Sequence, residues 1–160
     1  MSTNTSTGNS SNTTRAVIKG TGYYVPERVV TNQFFNEMYQ KDIDSFLRAQ
    51  RNILERRYMA PEQATSDLII PAAQEAMKNA GITAKDIDLI VVSTDTPDYI
   101  SPSTASVVQH KLGATNAGTF DINTACAGFV TAVDLASKYI VADKKYKNML
   151  KELYFLKTCF

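Results

Sequence analysis

The chain alternates between short apolar runs and stretches in which apolar residues recur at every third or fourth position. The runs predict strands and the spaced patterns predict helices, because side chains repeat every two residues along a strand and about every 3.6 along a helix. The predicted strands cover residues 16–20, 87–93 and 119–122. The predicted helices cover residues 31–40, 65–80 and 103–112, with a fourth beginning near residue 125.

Polar residues, glycine and proline mark the predicted ends of these helices. Side chains that can accept a hydrogen bond from a first helical turn predict N-caps. These residues are Thr31, either Thr65 or Ser66, and either Asn123 or Thr124. Gly81 and Gly113 predict helix ends, and Pro71 is expected to remove one hydrogen bond inside the helix at residues 65–80 and bend it.

The order of the elements indicates the fold class. Strands and helices alternate as β-α-α-β-α-β-α, and the nearly unbroken apolar run at residues 87–93 is typical of a parallel strand covered on both faces. The sequence therefore predicts an α/β domain with a mostly parallel sheet covered by helices.

Composition narrows the classes of function. With 160 residues and 44% hydrophobic content, the chain can form one domain or about half of a duplicated fold. A net charge of +1 without a basic stripe argues against nucleic acid or a membrane surface as partner. We see no run of about 18 apolar residues, so no membrane span is predicted. The polar residues 1–14 predict a disordered tail without the apolar core of a signal peptide.

The cysteines and the histidine give no sign of a metal site. Cys126 and Cys159 lie in unlike contexts, without the spacing of a zinc site or of a disulfide framework, which fits a reducing cytoplasm. His110, the single histidine, is typical of a surface or half-buried side chain. We therefore predict no metal and no cofactor.

Two other patterns each have a functional and a plainer interpretation. Gly20-Thr21-Gly22 could begin a dinucleotide-binding turn, but a third glycine is lacking and Pro26 interrupts the next helix, so a tight turn is the simpler interpretation. The segment at residues 42–57 predicts an exposed face with solvated arginines. These are Arg48, Arg51, Arg56 and Arg57.

Cys126 is the candidate for chemistry. It follows the predicted strand at residues 119–122 and stands at a helix start among Ala125, Ala127 and Gly128. The positive end of a helix favours an anion, thiolate is the nucleophilic form of cysteine, and small neighbours leave room for an acyl group. The other interpretation is a small, buried and unreactive cysteine in a packed helix.

The segment Asp121-Ile122-Asn123-Thr124-Ala125-Cys126-Ala127-Gly128-Phe129 resembles the nucleophile segment of the β-ketoacyl-acyl-carrier-protein synthase III family of thiolase-fold condensing enzymes. The resemblance extends over residues 16–148. It implies the amino-terminal half of a thiolase-like fold and an acyltransferase of fatty-acid or polyketide-type biosynthesis. In such an enzyme Cys126 would carry an acyl thioester before its condensation with a malonyl-acyl-carrier-protein unit.

The resemblance also points to substrate-binding positions. Phe46 matches a family tryptophan and Gln50 a family arginine, both of which help to hold the nucleotide end of coenzyme A, and Asn52 replaces a family glycine. A phenyl ring can stack on a base, but neutral Gln50 cannot supply the cation. An acyl-carrier-protein thioester or a specialised acyl group is therefore the alternative to acyl-coenzyme A as the donor.

Ser101 precedes the family-like residues 102–105, in a loop that reaches across a dimer interface toward the partner's acyl tunnel in the family. A family aromatic residue is replaced by Ser101, which implies a wider or differently shaped tunnel. The resemblance also implies a homodimer in the full-length form.

After residue 148 the chain departs from the family, in which a strand of small and β-branched residues follows. The family's catalytic histidine and asparagine come from a second half, and His110 does not match that histidine. We therefore expect an atypical end at residues 149–160, a truncated chain and an absent second half. The alternatives are a non-catalytic fragment that only binds a partner subunit or an acyl-carrier protein, and a polyketide or hydroxymethylglutaryl-type synthase.

Overall fold

The computed structural model describes residues 15–143, 145 and 149–152. Its strands are β1 Arg28–Thr31, β2 Glu55–Tyr58, β3 Leu89–Ser93, β4 Gly118–Ile122 and β5 Met149–Glu152. Its helices are α1 Asn32–Tyr39, α2 Asp44–Arg51, α3 Thr65–Ala80, α4 Thr104–Leu112 and α5 Gly128–Ala142. Short 3-10 turns occupy Ala84–Asp86 and Ala125–Ala127. The predicted tail at residues 1–14 lies outside the described residues. Residues 153–160, which include Cys159, lie outside them as well.

The main sheet has the order β4-β3-β5, and both pairings are parallel. In this register Val91 of β3 lies opposite Phe120 on one side and Lys151 on the other. The centre of the sheet is thus the strand that the longest apolar run predicts, and parallel pairing is confirmed.

Helices cover both faces of β3. The side chains of β3 alternate between these faces, so each helix layer packs against apolar residues. Ile90 and Val92 pack in a cluster with residues of α3 and α4, whereas Leu89 and Val91 pack with Ala132 of α5. All four strand residues are buried, and each contributes about 1.5–3 kcal/mol through removal of its side chain from water. The predicted α/β architecture is therefore confirmed.

The structure also contains a smaller sheet of two strands. Strands β1 and β2 pair antiparallel, with Val30 opposite Arg56. Helices α1 and α2 follow β1 in the chain and precede β2. The bounds of α1 agree with the predicted helix at residues 31–40, but Thr31 makes no side-chain cap hydrogen bond.

The predicted strand at residues 16–20 is wrong, and these residues lie in an irregular segment along α3. The Tyr23 N–H donates to Glu75 Oε2 at 2.8 Å, and Asn79 Nδ2 donates to the Thr21 carbonyl at 2.8 Å. These bonds hold the segment against the helix instead of in a sheet ladder.

The tight-turn interpretation of Gly20 and Gly22 is also wrong, because residues 15–26 contain no turn and neither glycine has a positive φ. Their lack of a side chain serves a close approach of two backbones. A Cβ at Gly20 would lie 2.7 Å from the Ala80 nitrogen, and one at Gly22 would lie 2.6 Å from the Ala76 nitrogen. Both distances are shorter than packed atoms allow, so the segment can lie on α3 only with glycine at these positions.

Arg56 is buried, at 4% exposure, and the expectation that it is solvated is wrong. Its Nη2 donates to Asn32 Oδ1 at 3.0 Å, and its guanidinium carbon lies 4.5 Å from the centre of the Phe35 ring. Its Nε and Nη1 have no hydrogen-bond partner within the described structure. The charge pattern missed this burial because β2 carries Arg56 inward opposite Val30.

The start of α3 also differs from its prediction. The N-cap is Ala64, and the Asp67 carboxylate accepts a hydrogen bond from the Ala64 N–H at 2.9 Å. Thr65 and Ser66 instead lie in the first turn. Pro71 is accommodated without interrupting the helix.

The predicted helix ends at Gly81 and Gly113 are confirmed, with φ values of 68° and 71°. The sequence departs from the family after residue 148 and did not predict a strand there. In the structure, however, Met149–Glu152 forms β5. Backbone pairing with the second edge of β3 explains this strand, because a buried strand needs hydrogen-bond partners on both sides.

The first turn of α3 predicts a pH dependence of stability. The hydrogen bond from Lys111 Nζ to Asp67 Oδ1, at 2.6 Å, lowers the pKa of Asp67, and the Ala64 N–H lowers it further. A lowered folded-state pKa stabilises the protein above the unfolded value of 3.8, and this stabilisation is lost as pH falls through the folded pKa. Asp67→Asn is therefore expected to cost up to about 1 kcal/mol at neutral pH and much less at a second, acidic pH below the folded pKa of Asp67.

Urea unfolding at the two pH values measures this difference. Asp134→Asn is the matched control, since Asp134 forms an exposed ion pair with Lys138 on α5. A cost of Asp67→Asn that is equal at both pH values would contradict the assignment.

Candidate active site around Cys126

Cys126 lies between β4 and α5, at the carboxyl end of the parallel strands. Strand β4 ends at Ile122, the 3-10 turn Ala125–Ala127 follows, and α5 begins at Gly128. The thiol therefore precedes the helix, whereas the pattern predicts it in the first helical turn. Ligands of open parallel sheets commonly bind at this edge.

The polar pair before the cysteine does not cap α5. The N-cap of this helix is Ala127, without a side-chain cap hydrogen bond. Thr124 precedes the 3-10 turn, and its hydroxyl donates to Thr131 Oγ1 at 3.4 Å. The expected caps are therefore wrong in detail, although the strand, turn and helix order is confirmed.

Ala125 has a φ of 46°, in the left-handed region. An L-residue with a Cβ pays about 1–2 kcal/mol for this conformation, and such strain is concentrated at functional sites. The residue directly before the thiol is thus held in a conformation that only the surrounding structure can maintain.

Gly128 fixes the start of α5 against the end of β3. A Cβ at Gly128 would collide with Ser93 Oγ and approach Ser93 Cβ to 3.2 Å. The Thr94 N–H also donates to the Ile122 carbonyl at 3.1 Å. These contacts position the cysteine turn beside the last residues of both strands.

The thiol of Cys126 is exposed, which excludes the interpretation of a buried cysteine. Its neighbours from Asn123 to Ala127 are exposed as well. A sulfur in this position is accessible from solvent.

Asp121, on β4, contacts the start of α4 with both carboxylate oxygens. Its Oδ2 accepts from the Thr104 N–H at 2.6 Å and its Oδ1 from the Ala105 N–H at 2.8 Å. The sequence did not predict this role. Its only signal is an acidic residue inside an otherwise apolar strand.

Ser101 lies in the exposed part of the loop at residues 94–103, between β3 and α4. The Ser101–Pro102 peptide bond is cis. Tyr99 is 60% exposed and the Ile100 side chain is fully exposed. The loop thus presents an apolar tip beside a small polar residue.

Phe46 and Gln50 lie one turn apart on α2, outside the Cys126 turn, and both are exposed. The Arg51 guanidinium carbon lies 5.6 Å from the centre of the Phe46 ring, and Arg51 Nη1 donates to the Gln50 carbonyl at 2.9 Å. Arg51 therefore places a cation against the Phe46 ring. The neutral residue at position 50 did not predict this cation.

The exposed position of His110 on α4 is as expected. Within residues 15–143, 145 and 149–152, no group of three or more His, Cys, Asp and Glu side chains could hold a metal ion.

The expectation that no run could span a membrane needs a correction. By length and composition alone Ala125–Ala142 could do so, with 18 residues and a mean hydropathy of 1.4. Asp134 and Lys138 pair within it at 3.0 Å, and Ala132 and Ala136 are buried on the side of the sheet. These features favour a helix packed in a protein, although only 17% of the stretch is buried.

Comparisons with known proteins agree with this geometry. A family model described as 3-oxoacyl-[acyl-carrier-protein] synthase III matches residues 120–151, which include Cys126. The β-ketoacyl-[acyl-carrier-protein] synthase III of Xanthomonas campestris pv. campestris strain 8004 is 47% identical over 123 residues, which are 77% of this chain and 38% of that protein.

Two solved structures extend the similarity to the fold. The 3-oxoacyl-[acyl-carrier-protein] synthase III of Aquifex aeolicus VF5 superposes with a TM-score of 0.74 at 36% identity, over 84% of this chain and 42% of that one. The priming β-ketosynthase of the R1128 polyketide pathway superposes with a TM-score of 0.71 at 32% identity, over 78% and 37%. The prediction of a thiolase-like amino-terminal half is confirmed.

The chain spans about two fifths of the length of these relatives. The family model, the Xanthomonas campestris protein and the Aquifex aeolicus structure are all described as 3-oxoacyl- or β-ketoacyl-[acyl-carrier-protein] synthase III. The region that the family model matches includes the turn that carries the exposed thiol. By sequence and fold, the chain therefore matches the amino-terminal part of the 3-oxoacyl-[acyl-carrier-protein] synthase III family.

Proposed function

We propose that the protein is a condensing acyltransferase of fatty-acid or polyketide-type biosynthesis, in which Cys126 carries the acyl group. The observation that carries this proposal is the exposed Cys126 thiol, at the carboxyl end of parallel strands and inside the segment that matches the family. The neighbouring small residues leave its sulfur open to a thioester carbonyl.

The first step transfers the acyl group. The Cys126 sulfur attacks the carbonyl carbon of an acyl thioester, the bond to the donor sulfur breaks, and the donor thiol leaves with a proton. The product is an acyl thioester on Cys126. Both an acyl-carrier-protein thioester and acyl-coenzyme A can supply the acyl group in this way.

The second step forms the carbon-carbon bond. A malonyl-acyl-carrier-protein unit loses carbon dioxide, its enolate carbon attacks the acyl carbon on Cys126, and the Cys126 thiolate leaves. The products are a β-ketoacyl thioester and free enzyme. Hydrogen-bond donors must stabilise the enolate, and each such donor is worth about 3–4 kcal/mol.

We propose that those donors come from the part of the relatives that this chain does not match. In the family they are a histidine and an asparagine, and His110 lies on the exposed side of α4 instead. The exposed apolar residues Val130 and Val141 on α5 fit a helix that a second half covers. A homodimer and a cytoplasmic location belong to the same proposal.

The second candidate function is binding without catalysis, to a partner subunit or an acyl-carrier protein. The same exposed surface of α5 favours it, because apolar patches beyond a few hundred Å² promote association. On this proposal the 160-residue chain alone forms no β-ketoacyl product.

A condensation assay tests the proposal. The protein is mixed with an acyl thioester and malonyl-acyl-carrier protein, and the β-ketoacyl product is measured for the 160-residue chain alone and for this chain joined to the carboxyl-terminal part of the Xanthomonas campestris relative. We expect product only from the joined form, with loss in Cys126→Ala and retention in Cys159→Ala. Product from Cys126→Ala would overturn the proposed role of Cys126.

The α2 surface predicts the choice of donor. Phe46 and Gln50 are both exposed on one face, so Phe46→Trp with Gln50→Arg adds stacking area and a cation without disturbing a core. We expect tighter coenzyme A binding by roughly ten- to a hundredfold, because a charge-assisted contact to phosphate is worth about 1.5–3 kcal/mol.

Titration calorimetry with coenzyme A measures this gain. Phe34→Trp with Gln33→Arg makes the same chemical change on α1 and serves as the control, since both residues are exposed. Equal affinity in the α2 double variant and the unmodified protein would show that this face does not contact the nucleotide.

A further inference from the structure

We propose that Thr131 of α5 is a positioning residue for the Cys126 thiol. Its hydroxyl holds both ends of the turn that carries the cysteine, and so sets the orientation of the sulfur toward a thioester carbonyl. This inference rests on the proposed acyl transfer to Cys126. Thr131 acts through the turn and is not itself a catalytic residue.

Cys126 is the third residue of a closed four-residue turn. The Ala127 N–H donates to the Thr124 carbonyl at 3.0 Å, and this bond closes the turn. Ala125, directly before the cysteine, has a φ of 46°, which an L-residue keeps only when its surroundings enforce it. The orientation of Cys126 therefore depends on the contacts that hold Thr124 and Ala127 in place.

A single hydroxyl contacts both of these end residues. Thr131 Oγ1 donates to the Ala127 carbonyl at 3.0 Å and accepts from the Thr124 hydroxyl at 3.4 Å. A hydroxyl can make both bonds at once, because it has one hydrogen to donate and two lone pairs to accept with. Thr131 thus bridges the first and the last residue of the cysteine turn.

The position of Thr131, one turn into α5, explains how it reaches the cysteine turn. Side chains of a helix lean toward its N-terminus, and residues four apart lie on the same face, so the side chain at position 131 lies over residue 127. The Thr124 hydroxyl also lies over the start of α5, because a Cβ at Gly128 would be 3.6 Å from Thr124 Oγ1. The bridge therefore forms where the cysteine turn meets the helix.

The helix end of the bridge is anchored in the core. Ala132, the next residue, is fully buried and packs with Leu89 and Val91 of β3. Thr131 therefore has a fixed position relative to the parallel sheet, whereas residues 123–127 are exposed. Its hydroxyl connects the exposed turn to this fixed position.

Three variants separate the Thr131 hydroxyl from general effects on α5. Thr131→Val replaces the hydroxyl with a methyl group of similar volume and removes both bonds. Thr131→Ser keeps the hydroxyl and removes only the methyl group. Ser137→Ala is the matched control, since Ser137 Oγ donates to the Asp134 carbonyl of the same helix at 2.8 Å and lies further along α5.

The rate of Cys126 acylation tests the inference. The acetyl thioester of N-acetylcysteamine is the probe, and intact mass reports acylation over a range of thioester concentrations. We expect Thr131→Val to lower the maximal acylation rate about fivefold or more, because the orientation of the reacting atoms limits bond formation, and to leave the half-saturating concentration within about twofold. Thr131→Ser should restore the maximal rate to within about twofold, and Ser137→Ala should change neither value.

Three results would overturn the inference and leave the proposed function intact. The first is an unchanged maximal rate in Thr131→Val, and the second is a loss that occurs only in the half-saturating concentration. The third is a maximal rate in Thr131→Ser as low as that in Thr131→Val. No acylation of the unmodified protein would overturn the proposed function, and this inference with it.

A variant at the other end of the bridge covers the case in which Thr131→Val fails to fold. Thr124→Val removes the hydroxyl that donates to Thr131, at an exposed position. We expect it to lower the maximal acylation rate about threefold or more, with the half-saturating concentration again within about twofold. An unchanged maximal rate in Thr124→Val would overturn the inference as well.

Discussion

Replacing Arg56 with alanine is expected to destabilise the protein by about 2–4 kcal/mol. Arg56 is 4% exposed, so the truncation opens a cavity between β2 and α1. It also leaves Asn32 Oδ1 buried without its donor, which costs about 1–3 kcal/mol, and it removes the stacking of a cation on Phe35. Urea unfolding at neutral pH measures the loss.

Two matched variants separate packing from charge. Arg56→Met fills most of the volume and removes the two buried nitrogens that have no hydrogen-bond partner among the described residues. We therefore expect it to cost about 1–2 kcal/mol, less than Arg56→Ala. Arg48→Ala removes an arginine of α2 whose side chain is 54% exposed, and it should cost under about 1 kcal/mol. Equal costs for Arg56→Ala and Arg48→Ala would contradict the burial of Arg56.

Replacing Gly22 with alanine is expected to cost about 1–3 kcal/mol and to release residues 15–26 from α3. The added Cβ would meet the Ala72 carbonyl and the Ala76 nitrogen, and helix backbone cannot move aside as a side chain can. The hydrogen bonds from Tyr23 to Glu75 and from Asn79 to Thr21 would then break. Amide exchange of this segment should rise together with the loss of stability.

Gly118→Ala provides the control for the glycine prediction. A Cβ at Gly118 would lie 3.3 Å from Leu89 Cδ1, the end of a flexible side chain, so a small shift accommodates it. We expect a cost of under about 1 kcal/mol. If Gly22→Ala is as stable as Gly118→Ala and exchange in residues 15–26 is unchanged, the segment does not lie on α3 in solution.

Two of the three strands of the main sheet, β3 and β4, could be predicted because their signals are local. The apolar run that forms β3 is buried on both faces, and the glycines after α3 and α4 adopt the left-handed conformation that ends a helix. Each of these features depends on neighbours in the chain. The strand, turn and helix order around Cys126 was predicted for the same reason.

The errors arose where contacts between distant residues decide the structure. We predicted a turn at Gly20 and Gly22 because the sequence does not reveal that they lie on α3, which is some fifty residues away in the chain. Arg56 reads as solvated because its burial depends on Asn32 and Phe35 of another element. Propensity and charge patterns cannot report such pairings.

The candidate site shows the same division. Cys126 could be named from its segment, since small residues at a strand-to-helix turn are a local pattern. The contribution of Asp121 could not, because it bonds to Thr104 and Ala105 across the sheet edge. The position of Arg51 over Phe46 was not predicted because it depends on side-chain conformation on one face of α2.

The measurement that tests the central claim most directly is the site of acylation. The protein is incubated with an acyl thioester, its intact mass is determined, and peptides are sequenced by mass spectrometry to locate the added group. We expect one acyl group on Cys126, none on Cys159 and no adduct in Cys126→Ala. An acyl group carried on another residue, or an adduct that persists in Cys126→Ala, would contradict the proposal that Cys126 is the acyl carrier.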